Sequence, residues 1–206
     1  MKTISYAITA CNEHVELERL LDQLNKHIRP EDEIVVQLDT TATDEVAKVA
    51  EKYNVGAMYE YHRVYASLNG DFASFKNNLK NHCSRDYIFF IDADEYLSDQ
   101  LIQHLGYIVE NNSVELYYIP RINTVEGLTQ EHLIKWRWQV NENGWVNYPD
   151  YQTRLIKNKK DIRWENKVHE RIVGYTSNAA LPTGYDLIHP KTIERQEKQN
   201  SFYDTI

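Results

Sequence analysis

Apolar runs and amphipathic segments alternate along the first 119 residues. Ile4 to Thr9 reads as a strand and ends in the polar turn Ala10-Cys11-Asn12-Glu13. Leu17, Leu20, Leu21, Leu24 and Ile28 then recur at helical spacing before Pro30. Ile34–Leu38 is a second strand, closed by Asp39. Asp44 is placed as the N-cap of a helix carrying Val46, Ala47, Val49, Ala50 and Tyr53. Asn54-Val55-Gly56 predicts a turn into a short strand from Ala57 to Tyr61. Asp71 opens a helix with Phe72, Phe75 and Leu79, which leads into the apolar run Tyr87–Ile91. Ser98 caps a helix containing Leu101, Ile102, Leu105 and Ile108, and a strand from Val114 stops at Pro120. Strands separated by helices of this length predict βαβ units and a largely parallel sheet with helices on both faces. Beyond Pro120 the pattern weakens. Residues 121–150 read as a long irregular stretch, Gln152–Val173 as two antiparallel strands joined by Lys157-Asn158-Lys159-Lys160, and Thr192–Ile206 as a charged helix.

Three acids, Asp92, Asp94 and Glu95, follow the Tyr87–Ile91 run within four positions. Carboxylates at i and i+2 beyond a strand can converge on one hard cation, and open α/β sheets gather ligands at strand carboxyl ends. With 206 residues and 42% hydrophobic content, the chain fits one domain with a substantial core. A formal charge of -8 argues against a strongly cationic nucleic-acid binder. Cys11 and Cys83 are too few for a disulfide framework, which favours a reducing compartment. No apolar run approaches the ~20 residues of a membrane span, and the start of the chain does not read as a leader, so a cytoplasmic protein is expected.

Several stretches, in order, resemble glycosyltransferase family 2, whose members have the GT-A fold and use nucleotide sugars. Ile8-Thr9-Ala10-Cys11-Asn12-Glu13 is similar to the family's first strand and turn, and Val35–Asp44 to its strand-Asp-x-x-Ser-Thr-Asp segment. Asp92-Ala93-Asp94 resembles the DxD motif, and Asp71–Leu79 resembles the helix that usually carries Arg-Asn, with Lys76 in place of Arg. Tyr148–Leu155 and Val168-His169-Glu170 look like a subgroup of small members that modify lipopolysaccharide cores or carry helical repeats. The resemblance implies a single GT-A domain over residues 1–206. Residues 1–95 would bind the nucleotide sugar, and residues 96–206, with a small antiparallel subregion, would face the acceptor.

It also implies roles. A Mn²⁺ or Mg²⁺ ion at the DxD would neutralise the leaving diphosphate of a nucleoside-diphosphate sugar, a UDP-sugar foremost. Asp94 is then the direct metal ligand, while Asp92 reaches the ribose or the metal. Asp39 would meet the base, with Glu13, Thr9 and Ala10 around base and ribose. Lys76 would meet a phosphate, or lie as a plain surface charge. Asp150 and Glu170 are rival general bases for an inverting transfer to a hydroxyl. His169 or His189 would complete the metal shell. Trp136, Trp138 and Trp145 would wall the acceptor site or form a satellite core. The acceptor itself stays open between a saccharide, a peptide and a modified nucleic-acid base. A catalytically inactive binding module of the same fold is the alternative. Seven glycines and no Gly-rich loop before the first helix argue against a P-loop enzyme or a nucleotidyltransferase.

Overall fold

The computed structural model describes residues 1–54 and 59–203. Its central sheet has seven strands in the order β11-β6-β8-β4-β1-β2-β3. They are β1 (Ile4–Ala10), β2 (Glu33–Asp39), β3 (Glu60–Ala66), β4 (Tyr87–Asp92), β6 (Leu116–Ile119), β8 (Gln152–Lys157) and β11 (Asn178–Ala180). β4, β1, β2 and β3 are mutually parallel; β8 runs antiparallel to both neighbours, and β11 is parallel to β6.

Alternation along the central strands sends side chains to two cores. Ile4, Tyr6 and Ile8 of β1, Ile34, Val36 and Leu38 of β2, and Tyr87, Phe89 and Ile91 of β4 face α1 (His14–His27), α2 (Asp44–Lys52) and α4 (Asp99–Asn111). Ala7, Val35, Ile88 and Phe90 face the other way, onto α3 (Phe72–Asn81) and Trp164. Strands buried on both faces read as unbroken apolar runs, which is why β4 was so legible. The polar residues on the α3 side are satisfied in place: Gln37 donates to the Phe75 carbonyl at 2.7 Å and accepts from Asn78 at 2.7 Å.

Three features depart from the sequence expectation. The α2 N-cap is Thr43, whose hydroxyl accepts from the Val46 N–H, and Asp44 is the first helical residue. The third strand runs over Glu60–Ala66 rather than ending at Tyr61, and residues 55–58 of that expectation, in its turn and strand start, lie outside the described residues. Residues 121–150 are not wholly irregular: they contain β7 (Arg121–Glu126) and α5 (Gln130–Trp136).

The two strands expected over 152–173 do not pair with each other. β8 enters the central sheet between β4 and β6, where Leu155 and Ile156 are fully buried. The antiparallel hairpin is instead β9 (Arg163–Glu165) with β10 (Arg171–Val173). A third, three-stranded sheet joins β5 (Tyr96–Leu97), β12 (Leu187–Thr192) and β7, with β12 and β7 parallel over six residue pairs. The closing helix α6 (Ile193–Tyr203) follows β12 directly, within the expected charged segment, whose residues 204–206 lie outside the described chain. No helix among the described residues is long and apolar enough to cross a membrane.

Candidate active site

The carboxyl ends of β1, β2 and β4 open into a cleft of about 940 Å³, closed on the far side by β7, β12 and the β9–β10 hairpin. Thr9, Ala10, Glu13, Asp39, Lys76, Asp92, Asp94, Asp150, His169, Glu170 and His189 all line it. The fold therefore gathers every residue singled out above as donor, metal or base candidate. Trp138 also lines the cleft, whereas Trp136 stacks on His132 at 5.1 Å and Trp145 packs edge-on against Tyr148 at 4.7 Å.

Asp39 ends β2 and is almost fully buried. One carboxylate oxygen accepts from the Thr41 N–H at 2.8 Å and the Thr41 hydroxyl at 2.5 Å, and the other accepts from the Leu68 N–H at 2.8 Å. Burial works against its charge, but these donors outweigh it and hold the carboxyl below its ordinary value. A carboxylate has about four lone-pair sites, so one acceptor site is left for a ligand. Glu13 folds back over its own turn, accepting from the Cys11 N–H at 2.9 Å and the Asn12 N–H at 3.0 Å. Its other oxygen meets Arg195 of α6 at 3.2 Å.

Beyond β4 the acids divide. Glu95 is fully buried and takes the role of holding positive neighbours: Arg154 at 2.7 Å and Arg121 at 3.0 Å. It also accepts from the Asp92 N–H at 3.1 Å, which shapes the turn. Asp92 is held by Arg154 at 2.6 Å and accepts from the Thr9 hydroxyl at 3.2 Å. Burial pushes its carboxyl up, and Arg154 and Lys76 pull it down further, to well below the carboxylate range. Asp94 points elsewhere. Its carboxylate lies 3.1 Å from His189 Nε2 and 3.4 Å from the Arg195 guanidinium, and these overcome burial to hold its pKa below the ordinary value too.

The His189 ring is oriented by Asn123, its register partner across β12 and β7. Nδ1 lies 3.0 Å from Asn123 Oδ1, while Asn123 Nδ2 donates to Asp150 Oδ2 at 2.8 Å. A carboxylate only accepts, so the amide must turn its NH₂ to Asp150 and its oxygen to His189. That oxygen requires Nδ1–H, so the neutral ring carries its lone pair on Nε2, towards Asp94. An imidazole with its far nitrogen tied to an acceptor and its near nitrogen facing a carboxylate is a donor set that suits a divalent cation. Asp94 and His189 thus fit the metal that the resemblance implies. The imidazole at Asp94 is His189; His169 stands in the β9–β10 turn, in the left-handed region at φ 53°.

Neither candidate base is isolated. Asp150 accepts from Arg121 Nη2 at 2.7 Å, Arg121 Nε at 3.0 Å, Asn123 and Gln152. Burial opposes its charge, but Arg121 and the amides keep its carboxyl below the ordinary value. Glu170 pairs with Lys76 at 2.6 Å through one oxygen. Lys76, whose ammonium lies 4.6 Å from the Trp164 ring centre, is committed to this pair, and its neighbour Asn77 exchanges two hydrogen bonds with the Trp164 backbone. The Lys-Asn of α3 therefore docks the β9–β10 hairpin. A second cluster, Glu33, Glu60 and His62, sits at the opposite, amino ends of β2 and β3, where Ser5, Ser84 and Arg85 already satisfy its carboxylates.

Sequence reasoning passed over Arg121, Asn123, Lys191 and Arg195. Its one available signal was the alternation His189-Pro190-Lys191, which puts imidazole and ammonium on one face of a strand.

A mostly parallel α/β sheet with this acid-lined cleft beyond its strand ends defines a protein of the GT-A class. The chain belongs to glycosyl transferase family 2, whose family model matches residues 5–175. Among solved structures it is similar to residues 1–349 of S. aureus TarS in complex with UDP-GlcNAc, at 16% identity and a TM-score of 0.66, covering 93% of this chain and 59% of that one. It is also similar to the mannosyltransferase PcManGT from Pyrobaculum calidifontis in complex with GDP-Man and Mn2+, at 12% identity and a TM-score of 0.58, covering 91% and 56%. The chain spans about six-tenths of the length of these two solved chains and 37% of a longer TarS chain, and at such identities the likeness is one of fold.

Proposed function

We propose that this chain transfers a sugar from a nucleoside-diphosphate sugar, a UDP-sugar foremost, to an acceptor hydroxyl, with inversion at the anomeric carbon. The observation that carries this is the meeting of the Asp94 carboxylate with His189 Nε2 at 3.1 Å, at the strand ends of a 940 Å³ cleft. The nucleotide-sugar and Mn2+ complexes of the fold's neighbours support the same donor chemistry. A Mn²⁺ or Mg²⁺ ion held by Asp94 and His189 would supply positive charge against the departing diphosphate. The imidazole favours Mn²⁺.

In this reading residues 1–95 bind the donor. Asp39 takes the base through its remaining acceptor site, and Glu13, Thr9 and Ala10 border the ribose. Asp92, tied to Arg154, would contact the ribose or reach the metal through water. Residues 96–206 bring His189 and the acceptor wall at Trp138, whose indole face suits the apolar C–H surface of a sugar. Glu170 is the proposed base, because its second oxygen has no partner among the described residues. Asp150, filled by four donors, acts through Asn123 on the metal ligand.

The test is a panel of nucleoside-diphosphate sugars with Mn²⁺, following release of free nucleoside diphosphate. Wild type is expected to release it from one donor. Asp94→Ala is expected to lose both this release and Mn²⁺-dependent nucleotide binding while its circular dichroism is kept. Undiminished release by Asp94→Ala would overturn the assignment. Donor binding without any release by wild type, across acceptors, would leave a binding module instead.

A further inference from the structure

Four lysines and arginines line the cleft among the described residues: Lys76, Arg121, Arg154 and Lys191. Three are matched to carboxylates, Lys76 to Glu170, Arg121 to Asp150 and Glu95, Arg154 to Asp92 and Glu95. Lys191 is not. Its ammonium donates to the side-chain carbonyl of Gln199 on α6 at 2.5 Å, and no carboxylate lies within ion-pairing distance of it among the described residues. A cation taken partly out of water without a counter-charge costs free energy that an anionic ligand would recover.

Its position says which anion. His189 and Lys191 stand at i and i+2 on β12, so both project to the face that meets Asp94, with Pro190 turned away. The two side chains leave the strand about 6.5 Å apart. Asp94 is the carboxylate whose charge acts most strongly on Lys191. The ammonium therefore flanks the metal site from the α6 side, where Gln196 and Gln199 also line the cleft.

We propose that Lys191 binds the diphosphate of the donor and neutralises it as it leaves. This rests on the donor chemistry proposed above. In the transfer, the bond between the anomeric carbon and the diphosphate oxygen breaks with its electron pair left on that oxygen. The acceptor oxygen bonds to the anomeric carbon and gives its proton to Glu170. Negative charge grows on the diphosphate during this step, and a fixed ammonium with two N–H donors to spare stabilises it without reorganising. Arg195 cannot serve in its place as it stands, being shared among Glu13, Glu16 and Asp94.

The experiment is isothermal titration of the full chain with UDP and with GDP in the presence of Mn²⁺, for wild type, Lys191→Gln and Lys191→Arg. Binding of uridine or guanosine is followed by NMR titration. Lys191→Gln is expected to lose about tenfold to a hundredfold in affinity for the diphosphate that wild type binds, the range of one charge-assisted hydrogen bond. Nucleoside affinity is expected to be unchanged, and Lys191→Arg to restore most of the loss. Equal diphosphate affinity in wild type and Lys191→Gln overturns this inference alone. A parallel loss of nucleoside binding overturns it as well, by marking Lys191 as structural. Failure of wild type to bind either diphosphate overturns the functional reading itself.

Discussion

Asn123 makes two hydrogen bonds that can be satisfied in one orientation only, NH₂ to Asp150 and oxygen to His189. Its consequence is a fixed tautomer at the proposed metal ligand. Groups of this kind, one step removed from a metal, typically change its affinity ten- to a hundredfold when removed. Asn123→Leu keeps the shape and removes both bonds, so Mn²⁺ affinity measured by electron paramagnetic resonance is expected to fall by about tenfold or more. Unchanged Mn²⁺ affinity would refute the positioning role. Such a residue could not be read from the chain. Asp39, Asp92 and Asp94 were legible because each stands at the carboxyl end of its strand or within two residues of it, and the physics linking strand end to ligand is local. Asn123 and His189 are separated by 66 positions, and their meeting depends on the register of β7 with β12.

At the scale of elements, the buried strands and amphipathic helices of the first half stand where periodicity put them. Errors arose where tertiary packing decides. β8 is an antiparallel strand inserted into a parallel sheet, and nothing local distinguishes that from pairing with β9. β7 reads as loop because its residues are polar: Arg121 and Asn123 turn towards the cleft rather than into a core. At α2, Thr43 and Asp44 are both good capping residues, and the dihedral angles decide between them. Thr43 is extended at φ -70°, ψ 155° and its hydroxyl accepts from Val46 N–H. Thr43→Ala is therefore expected to cost about 1 kcal/mol in urea unfolding. Asp44→Ala, losing only a first-turn charge, should cost less. The reverse ranking would restore Asp44 as the cap.

Across the whole molecule, one charge network ties the central sheet to the three-stranded one: Asp92 at the end of β4 and Glu95 beyond it, Arg154 in β8, Arg121 in β7, and Asp150 before β8. Asp92 and Asp150 have folded-state values below their ordinary ones. A carboxylate lowered on folding contributes stability that is fully present above its unfolded value, about 3.9, and is lost as pH falls through the folded value. The metal-free wild type should therefore hold its urea midpoint between pH 7 and 5, as far as these groups decide it, and lose stability below about pH 4. Arg154→Met weakens this dependence. Glu95, fully buried, and Asp92 then lose their shared guanidinium, and only Lys76 and Arg121 remain to hold the Asp92 carboxyl down against burial. The deficit is present at pH 7, at about 3 kcal/mol for breaking a buried pair. It narrows as pH falls and the carboxylates that Arg154 stabilised in wild type become protonated. The variant's midpoint should thus lie below wild type's at pH 7 and approach it below about pH 4. Parallel curves would mean that Arg154 holds the sheets together by packing alone, and that the acids beyond β4 are solvated well enough to keep their charge without it.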